Sequence, residues 1–427
     1  MRTIAIVGGG IAGHEAAWAA KRQDPDCRVL LFHEEAHPLY SACILADYVS
    51  GELPREKVFL LDPQEYHRAG IEFYARSAAI ALDVSKRLLV LEGQEVRYDS
   101  LVLATGSRPV VPTIEGVGLR GVHTLKTLAD ADQLAMALPR RAVVVGAGPV
   151  GLECALALAA RGCKVHLVEL LPRVLPRLLD EPLAEMVKAL LEQKGIHVLT
   201  GQKVMEVQGN QKVEAVRTSS GFLEADAVIL VLGMRPEVKL ASQASLGLGA
   251  SGGLAVDSLM ATQAEQVWAC GDCVESLDLI NGRTGLHMLW GNAVLQGRVA
   301  GANAAGGCRR FLGSLNVTTV RIGDKAVASV GMAAAELQSQ GERLLFKKDV
   351  WGNAMGILIA DGKLKGAQIL GPVERIGGIL RILLQGGSLS HHMRAAEARR
   401  LGPESSILWP LRGLEGELKS LGLGTLP

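Results

Sequence analysis

Two glycine-rich loops carry the residue types and spacing best suited to chemistry. Each follows a short apolar run that predicts a buried strand, and each leads into a helical segment. The loops match the G-x-G-x-x-G pattern at Gly8, Gly10 and Gly13 and at Gly146, Gly148 and Gly151. A strand that turns on glycines into a helix presents backbone N–H groups and the positive end of the helix to a pyrophosphate. The sequence therefore predicts two dinucleotide-binding sites.

An acidic residue follows the next predicted strand after each loop. Glu34 follows the strand at 27–32, and Glu169 follows the strand at 164–168. A carboxylate at this place can accept hydrogen bonds from the hydroxyls of a ribose. The charge of Glu169 would also repel a 2′-phosphate, whereas Arg173 would attract one. We therefore expect NADH, in preference to NADPH, at the second loop.

Three further apolar runs, at 100–104, 225–232 and 267–272, predict buried strands. A glycine follows each of the first two runs within two residues, and the third run ends on Asp272. An acid at the C-terminal end of such a strand points into the crevice where ligands of open α/β sheets bind. Asp272 is therefore a candidate ligand-binding residue.

The pattern of predicted elements changes after residue 310, where several short strands precede a predicted helix at 374–384. These strands are predicted at 317–322, 325–330, 343–348, 356–360 and 364–370. The fold class is therefore α/β, with two Rossmann-like dinucleotide-binding domains, one inserted in the other, and a C-terminal α+β dimerisation domain. The predicted bounds are 1–112 and 235–310 for the first dinucleotide-binding domain, 113–234 for the inserted one and 311–427 for the C-terminal domain.

Composition and charge exclude several classes of protein. The chain has 427 residues and a net charge of +1 without a basic run, which argues against nucleic acid as a partner. Its seven cysteines lack the spacing of a disulfide framework, which favours a reducing cytoplasm. The first strand starts at Thr3, leaving no room for a signal peptide, and no apolar run has the roughly twenty residues of a membrane span. We expect a cytoplasmic protein that does not bind a membrane.

Five motifs occur in a fixed order along the chain. They are GGGIAG at 8–13, LVLATGSRP at 101–109, GAGPVGLE at 146–153, LVLGMRP at 230–236 and WACGD at 268–272. With them the chain resembles FAD-dependent pyridine nucleotide-disulfide oxidoreductases over nearly its whole length. Within that family it resembles the branch of NADH oxidases and coenzyme A-disulfide reductases. The resemblance implies an enzyme that passes hydride from NADH to FAD and then electrons to an acceptor.

The resemblance also implies which residues bind each cofactor. For the pyrophosphate and adenosine ribose of FAD they are Gly8, Gly10, Ile11, Ala12, Gly13 and Glu34, with Ala104, Thr105, Gly106 and Asp272 along the same cofactor. For NADH they are Gly146, Gly148, Val150, Gly151, Glu169 and Gly233. Glu35, beside Glu34, is an alternative ribose ligand. No metal is expected, because the C-x-x-C formed by Cys270 and Cys273 spans the flavin turn and lacks further ligands.

Cys43 and Glu153 are the catalytic residues that the resemblance implies. In this branch a single redox cysteine lies under the flavin, on the helix after the ribose-binding acid, and Cys43 is near the start of a helix predicted at 42–50. The N–H groups and dipole of a helix start would lower the pKa of such a thiol. Tyr48 stands where two-cysteine reductases carry the partner cysteine. Related branches have similar flanking residues without a cysteine, so a structural role for Cys43 stays open.

Glu153 lies near the nicotinamide in the family, and a solvated helix acid is its alternative reading. For the acceptor, a small disulfide, a persulfide or O2 reached through Cys43 is the first hypothesis. The alternatives are a subunit that passes electrons to an iron–sulfur or haem partner protein, and a flavoprotein that binds or senses without a fast acceptor. The resemblance also implies a homodimer through the C-terminal domain, whose pair His391 and His392 is expected to be exposed.

Overall fold

The structure of the protein is a computed structural model, which describes residues 1–337, 343–373 and 376–386. The predicted pair His391 and His392 lies outside the described residues, as do residues 374 and 375 of the predicted C-terminal helix. Short apolar runs form the strands, and alanine-rich segments form the longer helices, as the residue preferences of strands and helices require.

The strands are short, with two to eight residues each. In chain order they are β1 (Thr3–Val7), β2 (Arg28–Phe32), β3 (Ile71–Tyr74), β4 (Ala79–Asp83), β5 (Leu88–Leu91), β6 (Gln94–Arg97), β7 (Ser100–Leu103), β8 (Ser107–Pro109), β9 (Val122–His123), β10 (Arg141–Val145), β11 (Lys164–Val168), β12 (His197–Leu199), β13 (Val204–Gln208), β14 (Ala215–Thr218), β15 (Gly221–Glu224), β16 (Ala227–Leu230), β17 (Met234–Pro236), β18 (Leu254–Ala255), β19 (Val267–Ala269), β20 (Val274–Leu277), β21 (Thr284–Leu286), β22 (Val317–Ile322), β23 (Lys325–Gly331), β24 (Arg343–Lys348), β25 (Ala354–Ala360) and β26 (Lys363–Leu370).

Helices connect the strands. In chain order they are α1 (Ile11–Gln23), α2 (Leu45–Ser50), α3 (Pro63–Arg68), α4 (Leu128–Ala137), α5 (Pro149–Ala160), α6 (Glu181–Gln193), α7 (Lys239–Gln243), α8 (Trp290–Ala304) and α9 (Ile376–Leu384), with 3₁₀ helices at Ala42–Ile44, Arg55–Val58, Gly271–Cys273 and Ala334–Glu336. Within the described ranges, no helix combines the length and apolar character needed to cross a bilayer.

The described chain divides into two compact units, the first formed by residues 1–44, 54–108 and 234–315. Its main sheet is parallel, with strands in the order β19-β7-β1-β2-β3. Because the strands are parallel, their carboxyl ends meet at one edge of the sheet. The first glycine loop follows β1 at this edge, Thr105 follows β7 and Asp272 follows β19. The fold therefore brings these predicted residues to one side of the first unit.

Helices α1 and α8 pack against each other in the first unit. A Cβ at Gly297 would meet the carbonyl oxygen of Ala12, and a Cβ at Gly301 would meet that of Ala16. Glycine at these two places therefore lets the helix backbones approach closely. The alanines on the facing side of α1, such as Ala16 and Ala20, are fully buried. This packing fixes the direction in which α1 leaves the glycine loop.

The second unit contains residues 45–53, 109–233 and the described residues from 316 onward. It has a parallel sheet in the order β12-β11-β10-β16-β9 and an antiparallel meander β13-β14-β15. Its C-terminal part is an antiparallel sheet in the order β22-β23-β26-β25-β24, against which α9 packs. The predicted fold class is confirmed, with one Rossmann-like sheet in each unit and a C-terminal α+β part. The predicted domain bounds stay predictions.

Several elements are shorter than their predicted counterparts. The strand predicted at 225–232 is β16 (Ala227–Leu230), and the run predicted at 267–272 is a strand only over β19 (Val267–Ala269) before a 3₁₀ helix begins. The predicted helix at 42–50 opens with a 3₁₀ turn at Ala42–Ile44 before α2. In each case the run of apolar residue types extends beyond the residues that adopt strand or α-helix geometry, so apolar composition alone overstates the element's length.

Candidate functional site

The first glycine loop turns between β1 and α1. Gly8 has a φ of +109°, and a Cβ there would meet the carbonyl oxygen of Ala104. A Cβ at Gly13 would meet the carbonyl oxygen of Gly8, whereas a Cβ at Gly10 would meet no atom within 4 Å. The close contacts at Gly8 and Gly13 hold the strand, the loop and the helix together. The open space beside Gly10 leaves room for a pyrophosphate at the start of the helix. The residues present therefore fit a bound dinucleotide.

Residues predicted to lie along the same cofactor follow neighbouring strands of the first unit. Ala104, Thr105 and Gly106 follow β7, and Asp272 follows β19. The hydroxyl of Ser107 donates a hydrogen bond to Oδ2 of Asp272 over 2.7 Å. Gly106 has a φ of +74°, and a Cβ there would meet no atom within 4 Å. These residues share the sheet edge with the glycine loop, while Ile11 and Ala12 form the first turn of α1.

Glu34 and Glu35, beyond the end of β2, are both bound by other side chains. Nη2 of Arg108 donates to Oε2 of Glu34 over 2.6 Å, and its Nε donates to Glu237 over 3.0 Å. The hydroxyl of Tyr40 donates to the carboxylate of Glu35, with oxygen–oxygen distances of 3.1 and 2.9 Å. The side chain of Glu34 is 56% exposed, so its ion pair contributes little to stability. Its role as a ribose ligand stays a prediction.

The second glycine loop repeats the geometry of the first between β10 and α5. Gly146 has a φ of +108°, and a Cβ there would meet the backbone carbonyl oxygen that follows β16. A Cβ at Gly151 would meet the carbonyl oxygen of Gly146, whereas Gly148 is open. Gly233 has a φ of +98° and is also open, and Val150 in the first turn of α5 is 43% exposed. This loop also fits a dinucleotide.

Glu169 follows β11, and its carboxylate is buried, with 8% of the residue exposed. Its Oε2 accepts a hydrogen bond from the N–H of Ala147 over 2.7 Å, and its Oε1 accepts one from the N–H of Leu171 over 2.8 Å. Each carboxylate oxygen has a second lone pair, so ribose hydroxyls can still donate to it. Nε of Arg173 is buried without a hydrogen-bond partner in the described part of the chain. Recognition of a ribose by Glu169 stays a prediction that fits this geometry.

Glu153 lies on α5 and is half-buried. Its pKa is raised to about 7, mainly by burial and also by the charge of Asp47, while the charge of Arg321 lowers it. Nη2 of Arg321 lies 3.3 Å from Oδ1 of Asp47 and 2.6 Å from Oε2 of Glu52. All four residues belong to the second unit. Near neutral pH this carboxyl is therefore able to hold a proton or release one.

Cys43 lies in the 3₁₀ helix Ala42–Ile44, directly before α2, and the residue is exposed. Tyr48, five residues later, donates its hydroxyl to Oδ1 of Asp132 over 2.8 Å. The turn thus carries an exposed thiol, and its redox role stays a prediction.

Cys270 and Cys273 flank Asp272 and are fully buried. Sγ of Cys273 lies 3.6 Å from the carbonyl oxygen of Leu103 and 3.3 Å from that of Cys270. Burial raises the pKa of both thiols, which keeps them protonated. In the described part of the chain, no group of three or more His, Cys, Asp or Glu side chains could hold a metal ion. The two cysteines therefore pack as small apolar residues.

Three residues beside the candidate site were not predicted from the sequence: His33, Arg108 and Arg321. His33 accepts a hydrogen bond from the loop residue Gly9, and its position directly after β2 is the one local signal that points to it. Arg108 pairs with Glu34 across 74 positions of sequence, and Arg321 pairs with Asp47 across 274. No local pattern could predict such distant pairs.

Comparison with known proteins places the chain in a family. Residues 2–297 match the family model of the pyridine nucleotide-disulphide oxidoreductases. The chain is 34% identical over 345 residues to an NADH oxidase of Methanocaldococcus jannaschii, covering 78% of this chain and 77% of that one. It is 30% identical over 387 residues to the epsilon subunit of NADH-dependent phenylglyoxylate dehydrogenase of Aromatoleum evansii, covering 89% and 90% of the two chains.

A solved structure shows the same fold. It is a NAD-dependent persulfide reductase from A. fulgidus, with a TM-score of 0.86 at 28% identity, covering 91% of this chain and 78% of that one. The glycine loops described above are the features that such a fold needs to bind two dinucleotides. The chain therefore belongs to the pyridine nucleotide-disulphide oxidoreductase family and is an oxidoreductase that uses FAD and NADH.

Proposed function

We propose that this enzyme passes electrons from NADH, through FAD, to a small persulfide or disulfide by way of the Cys43 thiol. The observation that carries the proposal is an exposed cysteine in the turn before α2. The similarity to a persulfide reductase supports this class of acceptor. The similarity to an NADH oxidase supports NADH as the donor and keeps O2 among the acceptors to be tested.

The proposal assigns FAD to the first glycine loop and NADH to the second. The residues assigned to FAD are Gly8, Gly10, Ile11, Ala12, Gly13, Glu34, Ala104, Thr105, Gly106 and Asp272. Those assigned to NADH are Gly146, Gly148, Val150, Gly151, Glu169 and Gly233. When bound, the cofactors supply the hydride donor and its acceptor, and the chain binds and aligns them. What supports the assignment is that both loops are open on the side where a pyrophosphate would approach.

Glu153 is the residue that we assign to holding a proton during the reaction. Its support is the half-buried position on α5 and a pKa of about 7, so that both protonation states are populated near neutral pH. A group that exchanges protons at the working pH is suited to acid or base chemistry. Burial is the main cause of this raised pKa, and Asp47 and Arg321 adjust it with opposite signs.

The step assigned to Cys43 balances as a two-electron reduction. Its thiolate attacks the outer sulfur of a persulfide, the sulfur–sulfur bond breaks, and the substrate leaves as a thiol after it takes up a proton. The persulfide now on Cys43 accepts two electrons and two protons, which releases hydrogen sulfide and restores the thiol. One NADH and one proton supply the electrons and hydrogen atoms for each turnover. An analogous attack on a disulfide releases two thiols.

The test is an anaerobic NADH titration of protein that has first been treated with a small persulfide and then desalted. We expect wild-type protein to consume two NADH per FAD, one for FAD and one for the sulfur carried by Cys43. Cys43→Ser has no thiol at this position and is expected to consume one. Absorbance at the flavin and nicotinamide bands measures both quantities.

Cys308→Ser is the matched control, because Cys308 is the other exposed cysteine of the chain. It is expected to titrate like the wild type. Equal consumption of one NADH by wild type and Cys43→Ser, with equal persulfide turnover, would show that Cys43 is structural and would contradict the proposal.

A second candidate is an NADH-oxidising subunit that passes electrons to an iron–sulfur or haem partner protein. The observation that favours it is the relative in A. evansii, a named subunit that matches this chain over 89% and 90% of the two lengths. The two candidates differ in one measurement. A subunit would reduce a purified iron–sulfur protein quickly and persulfide slowly, whether or not Cys43 is present.

The proposal also includes a cytoplasmic location and a homodimer through the C-terminal domain predicted at 311–427. The seven cysteines lack the spacing of a disulfide framework, which supports a reducing compartment. Val350 and Trp351, 91% and 78% exposed in the turn between β24 and β25, support a partner surface on this domain. Both statements stay predictions.

A further inference from the structure

The two glycine loops have matching backbone hydrogen bonds to the strand that follows their helix. In the first, the N–H of Gly8 donates to the carbonyl oxygen of Phe32, the last residue of β2, over 2.8 Å. In the second, the N–H of Gly146 donates to the carbonyl oxygen of Val168, the last residue of β11, also over 2.8 Å. The ends of β2 and β11 are therefore equivalent positions.

The residue after each strand end is equivalent as well. His33 donates its backbone N–H to the carbonyl oxygen of Tyr74, on β3, over 2.8 Å. Glu169 donates its N–H to the carbonyl oxygen of Leu199, on β12, over the same distance. His33 thus occupies in the first unit the position that Glu169 occupies in the second, and Glu34 lies one residue beyond it.

The side chains of these two residues also bind equivalent atoms. Oε2 of Glu169 accepts a hydrogen bond from the N–H of Ala147, the second residue of its loop, over 2.7 Å. Nδ1 of His33 accepts one from the N–H of Gly9, the second residue of the other loop, over 3.1 Å. Each loop is therefore tied to its strand end by one side-chain acceptor.

An imidazole can accept this hydrogen bond only when it is neutral. With Nδ1 as acceptor, the single ring proton is on Nε2, and protonation of Nδ1 would turn the acceptor into a donor facing Gly9. His33 is 9% exposed, and burial lowers its pKa to about 4. The ionisable groups that act on it are Glu34 and His37, with opposite signs. From β3 the side chain that faces it is the ring of Phe73, and the glycine loop contributes no charge.

Gly9 and His33 also match each other in shape. A Cβ at Gly9 would lie 2.5 Å from Cγ of the His33 ring, so the loop backbone rests directly against the imidazole. The second loop has alanine at the equivalent place, beside the slimmer side chain of Glu169. The residue pair is therefore glycine with histidine in one loop and alanine with glutamate in the other.

We propose that His33 is the positioning residue of the first loop, whose neutral imidazole holds the Gly9 N–H and so keeps the loop in the shape that binds the pyrophosphate of FAD. This inference rests on the assignment of FAD to the first loop. It makes retention of FAD depend on the protonation state of one side chain that lies outside the predicted ligand set.

The test compares His33→Asn with His33→Leu, two side chains of similar size. Oδ1 of asparagine can replace Nδ1 as the acceptor, whereas leucine leaves a buried N–H without a partner. We expect His33→Leu to bind FAD about tenfold more weakly than wild type at pH 7.5, the usual scale for one lost hydrogen bond, and His33→Asn to stay within a factor of about three. Fluorescence of released FAD after equilibrium dialysis measures the dissociation constant without any assay of activity.

The pH dependence of FAD release distinguishes this role from a purely structural one, because a purely structural role of His33 would not change it. As pH falls from 7 towards 4, His33 takes up a proton and wild type is expected to release FAD, whereas His33→Asn has no group to titrate there and retains FAD to lower pH. His67→Asn, a change at an exposed histidine of the same unit, is the control and is expected to follow the wild type. Identical release curves for wild type and His33→Asn, or tight binding by His33→Leu, would overturn the role of His33.

An exchange of the residue pair gives a second, independent test. Gly9→Ala alone places a methyl group against the imidazole and is expected to lose FAD. Gly9→Ala with His33→Glu reproduces the pair found in the second loop and is expected to regain it. No recovery in the double variant would count against the inference. A wild-type protein that carries no FAD would overturn both this inference and the assignment of the first loop, which is a different result from FAD bound equally by all variants.

Discussion

At the scale of single residues, the environment of Glu153 has the clearest consequence. Burial raises its pKa from 4.5 to about 7, so the folded protein keeps a proton on this carboxyl between these values while the unfolded chain has released it. The native state then binds more protons than the unfolded state, and stability falls as pH rises through this window. Arg321 limits the effect, because its positive charge lowers the pKa of Glu153.

We therefore predict opposite results for two changes at Arg321. Arg321→Gln removes the positive charge, raises the pKa of Glu153 and extends the loss of stability to pH values above 7. Arg321→Lys keeps the charge and is expected to leave the pH profile near that of wild type. Urea unfolding at pH 5, 7 and 8 measures the profile.

Glu153→Gln supplies the reference, since its side chain does not titrate and the slope between pH 5 and 7 should become smaller. The ion pairs of Arg321 with Asp47 and Glu52 are exposed, so their direct loss costs below about 1 kcal/mol at any pH. Equal pH profiles for Arg321→Gln and Arg321→Lys would show that Arg321 does not act on Glu153.

At the scale of elements, the contact between α1 and α8 holds the helix that leaves the first glycine loop. Gly301 faces the backbone of Ala16, so any larger residue there must push the two helices apart. Gly291, in the first turn of the same helix α8, is open, and a Cβ there would meet no atom within 4 Å. The helix therefore offers one crowded and one free glycine for comparison.

Gly301→Val is predicted to destabilise the protein by about 1–3 kcal/mol, the usual cost of overpacking. Gly291→Ala is predicted to be neutral or to stabilise by up to ~1 kcal/mol, because alanine is the better helix former and meets nothing. The midpoint of urea unfolding measures both changes. Similar destabilisation by the two substitutions would mean that the helix contact is not the cause.

At the scale of the whole molecule, a buried polar network joins distant parts of the second unit. Oε1 of Gln368, on β26, accepts the N–H of Asp180 over 2.8 Å, and its Nε2 donates to Oδ2 of the same residue over 2.6 Å. The N–H of Ala334 donates to the other carboxylate oxygen over 3.0 Å. Asp180 and Gln368 are 4% and 1% exposed, so water cannot replace these partners.

Gln368→Leu is accordingly predicted to cost about 1–3 kcal/mol of stability, because it removes the donor to one oxygen of the buried Asp180 carboxylate and the acceptor of the Asp180 N–H. Lys363→Gln, an exposed change on the same strand, is the control and is expected to lie within ~0.5 kcal/mol of wild type. Denaturant unfolding followed by circular dichroism measures both. A wild-type stability in Gln368→Leu would show that the network does not join these segments energetically.

Much of the fold could be predicted because its signals are local. The strand–glycine–helix pattern appears twice, β1 and β11 have their predicted bounds, and each glycine loop leads from a strand into a helix as predicted. Element ends were predicted less well, as at β16 and at the 3₁₀ turn that holds Cys43, because apolar residue types continue past the end of the regular backbone hydrogen bonding.

The sequence by itself predicted the two glycine loops, the acid Glu169 and the candidate thiol Cys43, since each depends on residue types at short, fixed spacing. Only the tertiary structure decided that His33, not Glu34, stands in register with Glu169, because register depends on which strand pairs with which. It also decided that Asp180 meets Gln368 across 188 positions, a contact that no local pattern encodes. Spacing along the chain specifies a loop, whereas the partners of a buried polar group exist only once distant strands are packed together.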